Sequence, residues 1–569
     1  MLVNQIKEVI KGEVIENSNE LKAYGHDASI FEVQPKLVVK PKDSDDIKNI
    51  VKFVSEHKSS DPSLSLTARA GGSDMSGGPL NESIILDFTA HMNKVIEVGV
   101  DYAITEPGAF YRDFEKETLK KGLLMPSYPA SRELCAVGGM VANNAGGEKS
   151  LRYGKTENYV EELDVVLNDG NEYVFKALTV DELEQKKSQN DFEGEIYRKM
   201  HELLGGNYEL IQKAKPDVSK NSAGYALWNI WRPAAEIDGD VESQGQERQV
   251  SMNGNIGTGM FDLTKLFVGS QGTLGIITKM KFRLVNPATF SKLLIVFLKD
   301  MDVTGDLVIA LNTHNPESME SYDDNTFKLA LKILPDLVRK IGLASLFKFI
   351  PDVWAIVTGG VPKLIMLVEF TGDDEESVER KVQNIKQEIK SRFKVKTRIA
   401  SNEADVQKYW TIRRESFNLL RKHVKGKKAA PFIDDIIVKP EYLSKFLTEL
   451  KGILDEYKKY MIYTIAGHPG DGNFHIIPLM DLSDEKSRLV IPEISEKVYD
   501  LVLKYGGSIT AEHNDGLIRT PYLEKMYGED IVELFEQVKE IFDPLNIFNP
   551  GKKVGGDIEY SMRHIKTNF

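Results

Sequence analysis

Apolar runs and helical spacings take turns along the first part of the chain. Leu37, Val38 and Val39 form a strand-like run stopped by Pro41. Ser44 is placed to cap a helix whose Ile47, Ile50, Val51 and Val54 share a face. A second strand at Leu64–Thr67 completes a β-α-β start, which predicts an α/β or α+β layer. Ser83–Phe88, Lys94–Gly99 and Tyr102–Thr105 continue as strands. Ala109–Lys121 reads as an amphipathic helix ended by Gly122, and Val160–Leu167 as a strand entering a hairpin at Asn168-Asp169-Gly170. Past Asn286 the composition changes. Leu293–Leu298 and Lys363–Thr371 read as strands of a second sheet, and Glu376–Phe393 as a helix.

Two stretches break this rhythm. Residues 181–260 mix charge, glycine and polar runs and read as an insertion, partly loop. Within it, Lys220–Tyr225 either reaches a functional site or runs over the surface. Phe327–Gly360 is apolar with scattered cations. The expectation is a helical part of a cap packed on the second sheet. The alternative is a membrane-surface patch in which Lys328, Lys332, Arg339, Lys340 and Lys348 meet the headgroups.

The densest chemistry lies at Gly467–His475, G-H-P-G-D-G-N-F-H, flanked by the strand formers Met461–Ala466 and Ile476–Met480. Pro469-Gly470-Asp471-Gly472 is a turn, so the expected unit is strand, four-residue turn, strand. In that register His468 lies opposite Asn473, and His468, Asn473 and His475 share one sheet face. Two imidazoles so placed can converge on one divalent ion at about 2.0–2.1 Å each, with a third, acidic ligand supplied from elsewhere. A polar hairpin tip with incidental histidines is the plain alternative.

Three low-bulk clusters stand in the first half: Arg69–Gly78 (R-A-G-G-S-D-M-S-G-G), Gly138–Gly147 (G-G-M-V-A-N-N-A-G-G) and Gly269–Thr278 (G-S-Q-G-T-L-G-I-I-T). The first can point its amides inward as an anion nest suited to a pyrophosphate. The second lets backbone approach a large flat ligand closely. None is the G-x-G-x-x-G turn of a Rossmann helix.

The 569 residues suggest two or three domains, and 41% hydrophobic with 28% charged residues is ordinary for a globular enzyme. A net charge of −13 argues against a nucleic-acid partner. The single cysteine, Cys135, excludes a disulfide framework and any cysteine-ligated iron–sulfur cluster within this sequence. Met1–Ala28 has no signal-peptide core, and no apolar run is long enough to span a bilayer. The expected location is the cytoplasm, with peripheral contact at the inner face of the membrane as the variant.

Together the three clusters, R-Y-G-K-T at Arg152–Thr156, W-T-I-R-R-E at Trp410–Glu415, the histidine hairpin, A-E-H-N-D-G at Ala511–Gly516 and F-N-P-G-K at Phe548–Lys552 resemble the vanillyl-alcohol-oxidase superfamily of flavoproteins. The match is to its D-lactate and D-2-hydroxyglutarate dehydrogenase branch and covers roughly residues 30–553. The resemblance implies an α+β protein: a two-part PCMH-type FAD-binding domain over residues 1–285, including the insertion, and a substrate cap with a ferredoxin-like sheet over 286–490. Residues 491–569 would complete the site and return to the flavin domain. It implies FAD held noncovalently by Arg69, Ala70, Gly71, Gly72, Ser73, Asp74, Ser76, Gly77, Pro126, Gly138, Gly139, Asn143, Ala145, Gly146, Gly147, Gly275, Ile277 and Asn549. It implies a divalent metal, zinc before manganese or iron, on His468, His475 and Glu512. His513 would be the base, and Arg413 would hold the substrate carboxylate.

The implied reaction is oxidation of a D-2-hydroxy acid to the 2-oxo acid, with hydride passing to flavin N5 and electrons leaving to an external redox protein or quinone. Two departures point away from hydroxyglutarate and toward a D-lactate-like acid. The lysine that the hydroxyglutarate enzymes carry near Pro431–Asp435 is missing, and Ile477 stands where they have asparagine. Asn514 replaces a usual glycine. Glycolate or hydroxyglutarate oxidation, a metal-dependent hydrolase and a flavin electron carrier without substrate chemistry are the rivals. One geometric problem remains at this level: Glu512 and His513 are neighbours, and neighbours on a strand point to opposite faces.

Overall fold

The computed structural model describes residues 2–233, 259–326, 362–423 and 426–567. Phe327–Gly360, read above as a cap element or a membrane patch, lies outside them. Among the described residues no helix is long and apolar enough to cross a membrane.

The first layer is a four-stranded sheet in the order β1-β2-β4-β3, built from β1 (Glu13–Ile15), β2 (Leu37–Lys40), β3 (Leu66–Arg69) and β4 (Ile84–Asp87). β1 is antiparallel to β2, and the other pairs are parallel. α1 (Ser44–His57) covers it, burying Ile47, Ile50, Val51 and Val54. Its cap is Asp43, one residue before the expected Ser44, with the carboxylate accepting from Asp46 N.

The second sheet is antiparallel. It contains β5 (Val95–Val98), β6 (Tyr102–Thr105), β7 (Val160–Val166) and β8 (Glu172–Lys176), with α2 (Val137–Asn143) between β6 and β7 in the chain. The inserted region is only partly loop. Its α3 (Phe192–Gly206) buries Ile196, Tyr197, Met200 and Leu203 in the same core, and a ribbon of β9 (Trp231–Pro233) and β10 (Gly259–Phe261) follows. β11 (Ile276–Arg283) then enters between β6 and β7, giving β5-β6-β11-β7-β8.

Among the described residues the third sheet begins β-α-β-β-α-β: β12 (Phe290–Leu298), α4 (Thr304–Asn312), β13 (Ser318–Asp323), β14 (Leu364–Gly372), α5 (Glu375–Phe393) and β15 (Lys396–Ile399). Its order β15-β12-β14-β13 is ferredoxin-like. After α6 (Glu403–His423), β16 (Lys428–Ala429), β17 (Ile436–Ile437), α7 (Leu443–Glu456), β18 (Met461–His468) and β19 (Asn473–Met480) extend the sheet beyond β13, and α8 (Glu485–Lys504) follows.

Strand alternation gives this sheet two apolar faces. Leu294, Val296, Met366 and Val368 pack with Val378, Val382, Ile385 and Ile389 of α5. Leu293, Ile295, Ile365, Leu367 and Tyr322 pack with Tyr409, Trp410 and Ile412 of α6. Glu320, two residues before Tyr322 on β13, shares the α6 face, which turns Arg413 of α6 toward it. The chain end returns to the first two layers. α9 (Glu529–Phe542) buries Leu534, Phe535 and Val538 beside α3, and Leu66 N donates to Ile547 O.

Candidate active site

The β18–β19 hairpin has the register that alternation predicts: His468 pairs with Asn473, and Ala466 with His475. Pro469–Gly472 makes the turn. At Gly472 the backbone has φ 79°, and a Cβ would fall 1.8 Å from Val438 O, so only glycine lets β19 start under that strap. His468 and His475 converge. Asn473 shares their side of the sheet but is an anchor: its amide donates to Asp435 Oδ1 and Ile436 O, both at 3.1 Å.

Glu512 and His513 reach the same site because their segment is not a strand. Asp435 Oδ2 accepts from Thr510 Oγ1 and from the amides of Ala511, Glu512 and His513 at 2.6–2.9 Å. Four donors on one oxygen curl the chain, and Asn514 completes the bend at φ 69°. Asn514 tolerates this left-handed conformation better than most residues. Its amide donates to Gly269 O, and its oxygen accepts from Lys553.

Around a common point stand His468 Nε2, His475 Nε2 and Glu512 Oε1, mutually 3.2, 3.2 and 3.5 Å apart. Ligands at about 2.0–2.1 Å in tetrahedral geometry lie about 3.3 Å from one another, so the spacing suits a small divalent ion. Each imidazole is braced from behind by a buried carboxylate. His468 Nδ1 donates to Glu320, and His475 Nδ1 donates to Asp434 Oδ1 at 3.1 Å. A carboxylate can only accept, so both rings carry their proton on Nδ1 and offer a lone pair at Nε2. Asp435, His475, Glu512 and His513 also lie within 4.8 Å of one another. Asp435 is committed to the loop amides, so the two histidines and Glu512 are the better donor set.

The electrostatics agree. Burial opposes charge on His475, but Asp434 and then Glu512 outweigh it and push the ring up to about 10. Burial likewise opposes charge on His468 and is outweighed, chiefly by Glu320. For Glu512 burial favours the neutral form, yet Lys220 and His468 hold the carboxyl well below its usual range. The surrounding carboxylates thus favour positive charge between the rings, which a bound cation would supply.

Arg413 Nε donates to Glu320 Oε2 at 2.9 Å, so the guanidinium is fixed through the carboxylate that orients His468. Arg414 forks onto Glu148, next to the second glycine cluster, at 2.8 and 2.9 Å and is a latch between the third sheet and the first two. His513 is the most exposed of the site groups, with 22% of its side chain accessible, and it stacks on His475 with centroids 4.9 Å apart.

A cavity of about 1260 Å³ runs from these groups to the glycine clusters. It exceeds the ~300–1000 Å³ of most small-molecule sites, which leaves room for a dinucleotide and a substrate together. Arg69, Ala70, Gly71, Gly72, Ser73, Asp74, Gly138, Gly139, Asn143, Ala145, Gly146, Gly275 and Ile277 line it, as do Arg413, His468, His475, Glu512 and His513. A Cβ on Gly139 would meet nothing but Ala70 Cβ, at 3.5 Å, so the glycine keeps a cradle open rather than relieving a clash with the chain. This fits FAD.

Five other residues expected at the cofactor stand behind the wall, because their polar groups or their space are taken. Ser76 donates to Asp74, and the Gly77 amide to Asp27. Ser150 Oγ accepts from the Gly147 amide, and Tyr128 O fills the place of a Gly147 side chain. Asn549 bonds Thr67, Gly78 and Gln271. Pro126 is buried and does not line the cavity.

Sequence reasoning missed Glu320 and Asp434 as braces and left Lys220 undecided. Lys220 is buried, 2.9 Å from Asp471 and 3.3 Å from Glu512 Oε2, and the segment behind it joins Ser222 N to Thr510 O. The inserted strap therefore reaches the site. Its signal was present in the sequence as a lysine beside small polar residues, but such a run looks the same on a surface.

Comparison with known proteins matches residues 35–175 to the FAD binding domain family and residues 288–553 to the C-terminal domain of FAD linked oxidases. The chain is 29% identical to a D-2-hydroxyglutarate dehydrogenase of Pseudomonas putida over 92% of its own length and 49% of that protein. It spans about half the length of that and several other curated relatives it matches. It is 28% identical to a D-lactate dehydrogenase of Archaeoglobus fulgidus over 91% of each. The crystal structure of p-cresol methylhydroxylase with substrate bound superposes with a TM-score of 0.65 at 16% identity, over 98% of this chain and 96% of that one, which shows the PCMH-type fold. The chain belongs to the FAD-linked oxidases.

Proposed function

We propose that this protein oxidises a D-2-hydroxy acid of about the size of D-lactate to the 2-oxo acid. The observation that carries the reading is the pair of carboxylate-braced imidazoles and Glu512, at metal-ligand spacing, in one cavity with His513 and the glycine cradle. Bound there, FAD supplies a hydride acceptor, and a divalent ion on His468, His475 and Glu512, zinc before manganese or iron, supplies Lewis acidity toward the substrate hydroxyl. Arg413 holds the carboxylate and so aims the C2–H bond. His513 takes the hydroxyl proton on Nε2 as the C2–H electron pair departs and the C=O bond forms.

The preference for a small monocarboxylate rests on the far wall. Thr464, Ala466 and Ile477 line it, and Arg414, the cation next to Arg413, is paired with Glu148. The hydroxyglutarate dehydrogenases among the relatives favour a dicarboxylate instead. FAD is held noncovalently: Cys135 lines the cavity, but burial pushes its thiol up to about 12 and leaves it a poor nucleophile. Electrons leave to an external acceptor, a redox protein or a quinone.

Anaerobic bleaching of the flavin tests this. D-lactate is expected to bleach it rapidly, with L-lactate inert and D-2-hydroxyglutarate and glycolate slower. Bleaching by D-2-hydroxyglutarate alone would assign the dicarboxylate reading, and bleaching by none of the four would refute hydroxy-acid oxidation. Flavin retained on the polypeptide after acid precipitation would refute noncovalent binding.

A further inference from the structure

Asp434 is fully buried and touches two imidazoles at once. Its Oδ1 lies 3.1 Å from His475 Nδ1 and its Oδ2 lies 3.0 Å from His513 Nδ1. The His513 contact has hydrogen-bond length but is off-line, and neither atom has another hydrogen-bond partner among the described residues, so each is available to the other. The two rings stack within 15° of parallel, which leaves both Nε2 atoms on the side away from Asp434. The carboxylate is anchored through its own backbone, since Arg519 Nη2 donates to Asp434 O at 2.5 Å and the next residue, Asp435, carries the loop of Glu512 and His513.

We propose that Asp434 is a positioning residue that sets the tautomer of the metal-facing His475 and of the base His513 together. This rests on the functional reading above. A carboxylate offers two acceptor oxygens and no proton, so it receives Nδ1–H from both rings and leaves both Nε2 lone pairs exposed, one toward the ion and one toward the substrate hydroxyl. Its two roles separate in Asp434→Asn, which keeps the volume but has one acceptor and one donor end. Ligation of the ion requires His475 to keep Nδ1–H, so His475 retains the amide oxygen. His513 then faces the NH2 group, must accept at Nδ1, and carries its proton on Nε2, where it cannot act as a base.

The test compares wild type and Asp434→Asn, each loaded with FAD and zinc. Flavin content and zinc stoichiometry are expected to hold, and substrate Kd to change by less than about tenfold. The rate of flavin reduction by D-lactate falls by about 10²–10⁴-fold, the upper figure being that for asparagine in place of the aspartate of a Ser-His-Asp triad. Nitrogen-15 shifts of the neutral rings report the cause without substrate: Nδ1-protonated His475 and His513 in the wild type, and His513 reversed to Nε2 in the variant. Zinc lost in parallel with the reduction rate would overturn the proposal, as would a variant His513 still protonated on Nδ1. If the variant does not fold, a wild-type His513 protonated on Nε2 overturns it alone. If no hydroxy acid reduces the wild-type flavin, the functional reading fails, and the ring tautomers still decide the role of Asp434.

Discussion

The two ends of the cavity are built by opposite means. At the flavin end the wall is mostly backbone and small residues, and Gly139 contributes by lacking a side chain. At the cap end the two imidazoles and Glu512 are buried side chains, each held by another: His468 by Glu320, His475 by Asp434, and Glu512 by Lys220. A cradle of absent atoms tolerates loss of charge and fails on added bulk. A knot of buried charges tolerates small changes of bulk and fails when one partner goes, because the other is left buried and uncompensated.

The sharpest way to break this contrast is to remove the donors. His468→Ala, His475→Ala and Glu512→Ala are each expected to lose bound metal and several kcal/mol of transition-state stabilisation, on the order of 10³-fold in turnover, with FAD still bound. Metal analysis and flavin absorbance read the two ends independently, and a full metal complement in all three variants sinks the donor assignment. Next in size is Lys220→Met, which strands Glu512 and Asp471. Unfolding without metal should show a loss of about 3–5 kcal/mol. Added zinc should recover much of this, because the ion supplies the missing positive charge. Equal destabilisation with and without zinc would make Lys220 a packing residue only.

The converse experiment is Gly139→Leu. The position lies within α2, where glycine is a poorer helix former than leucine, so the fold should not suffer. The side chain fills the cradle, and FAD affinity should fall by about 10²-fold, roughly 2.7 kcal/mol, with metal stoichiometry unchanged. Unaltered FAD affinity would mean that the flavin does not pass over this helix.

The elements were more legible than the knot. The period-2 strands and the turn chemistry of Pro469–Gly472 put His468 opposite Asn473 without any tertiary information. The glycine clusters pointed at the cavity because small residues are conspicuous in composition. Their members were harder to sort: Gly139 leaves room in the cavity, while Gly71 and Gly147 give way to neighbouring backbone. A glycine that admits a ligand and one that admits a neighbouring backbone look alike in sequence. Asn473 illustrates the same limit, since alternation put it on the site's side of the sheet but could not say that its NH2 group would be spent on Asp435 and Ile436 O.

What the sequence by itself determined is local: strand and helix periods, the histidine hairpin, and the loops too small to hold anything but a ligand or a close neighbour. What only the tertiary structure decided is which charges share a burial. Glu320 lies 148 residues from His468, and Lys220 lies 292 from Glu512, with nothing in the intervening chain to tie them. Asp435 folds the Glu512–His513 loop around one oxygen from 75 to 78 residues away. A charge on an exposed segment costs little and needs no partner, so its sequence carries no mark of one. The partner becomes compulsory only when the fold removes water, and that happens in three dimensions.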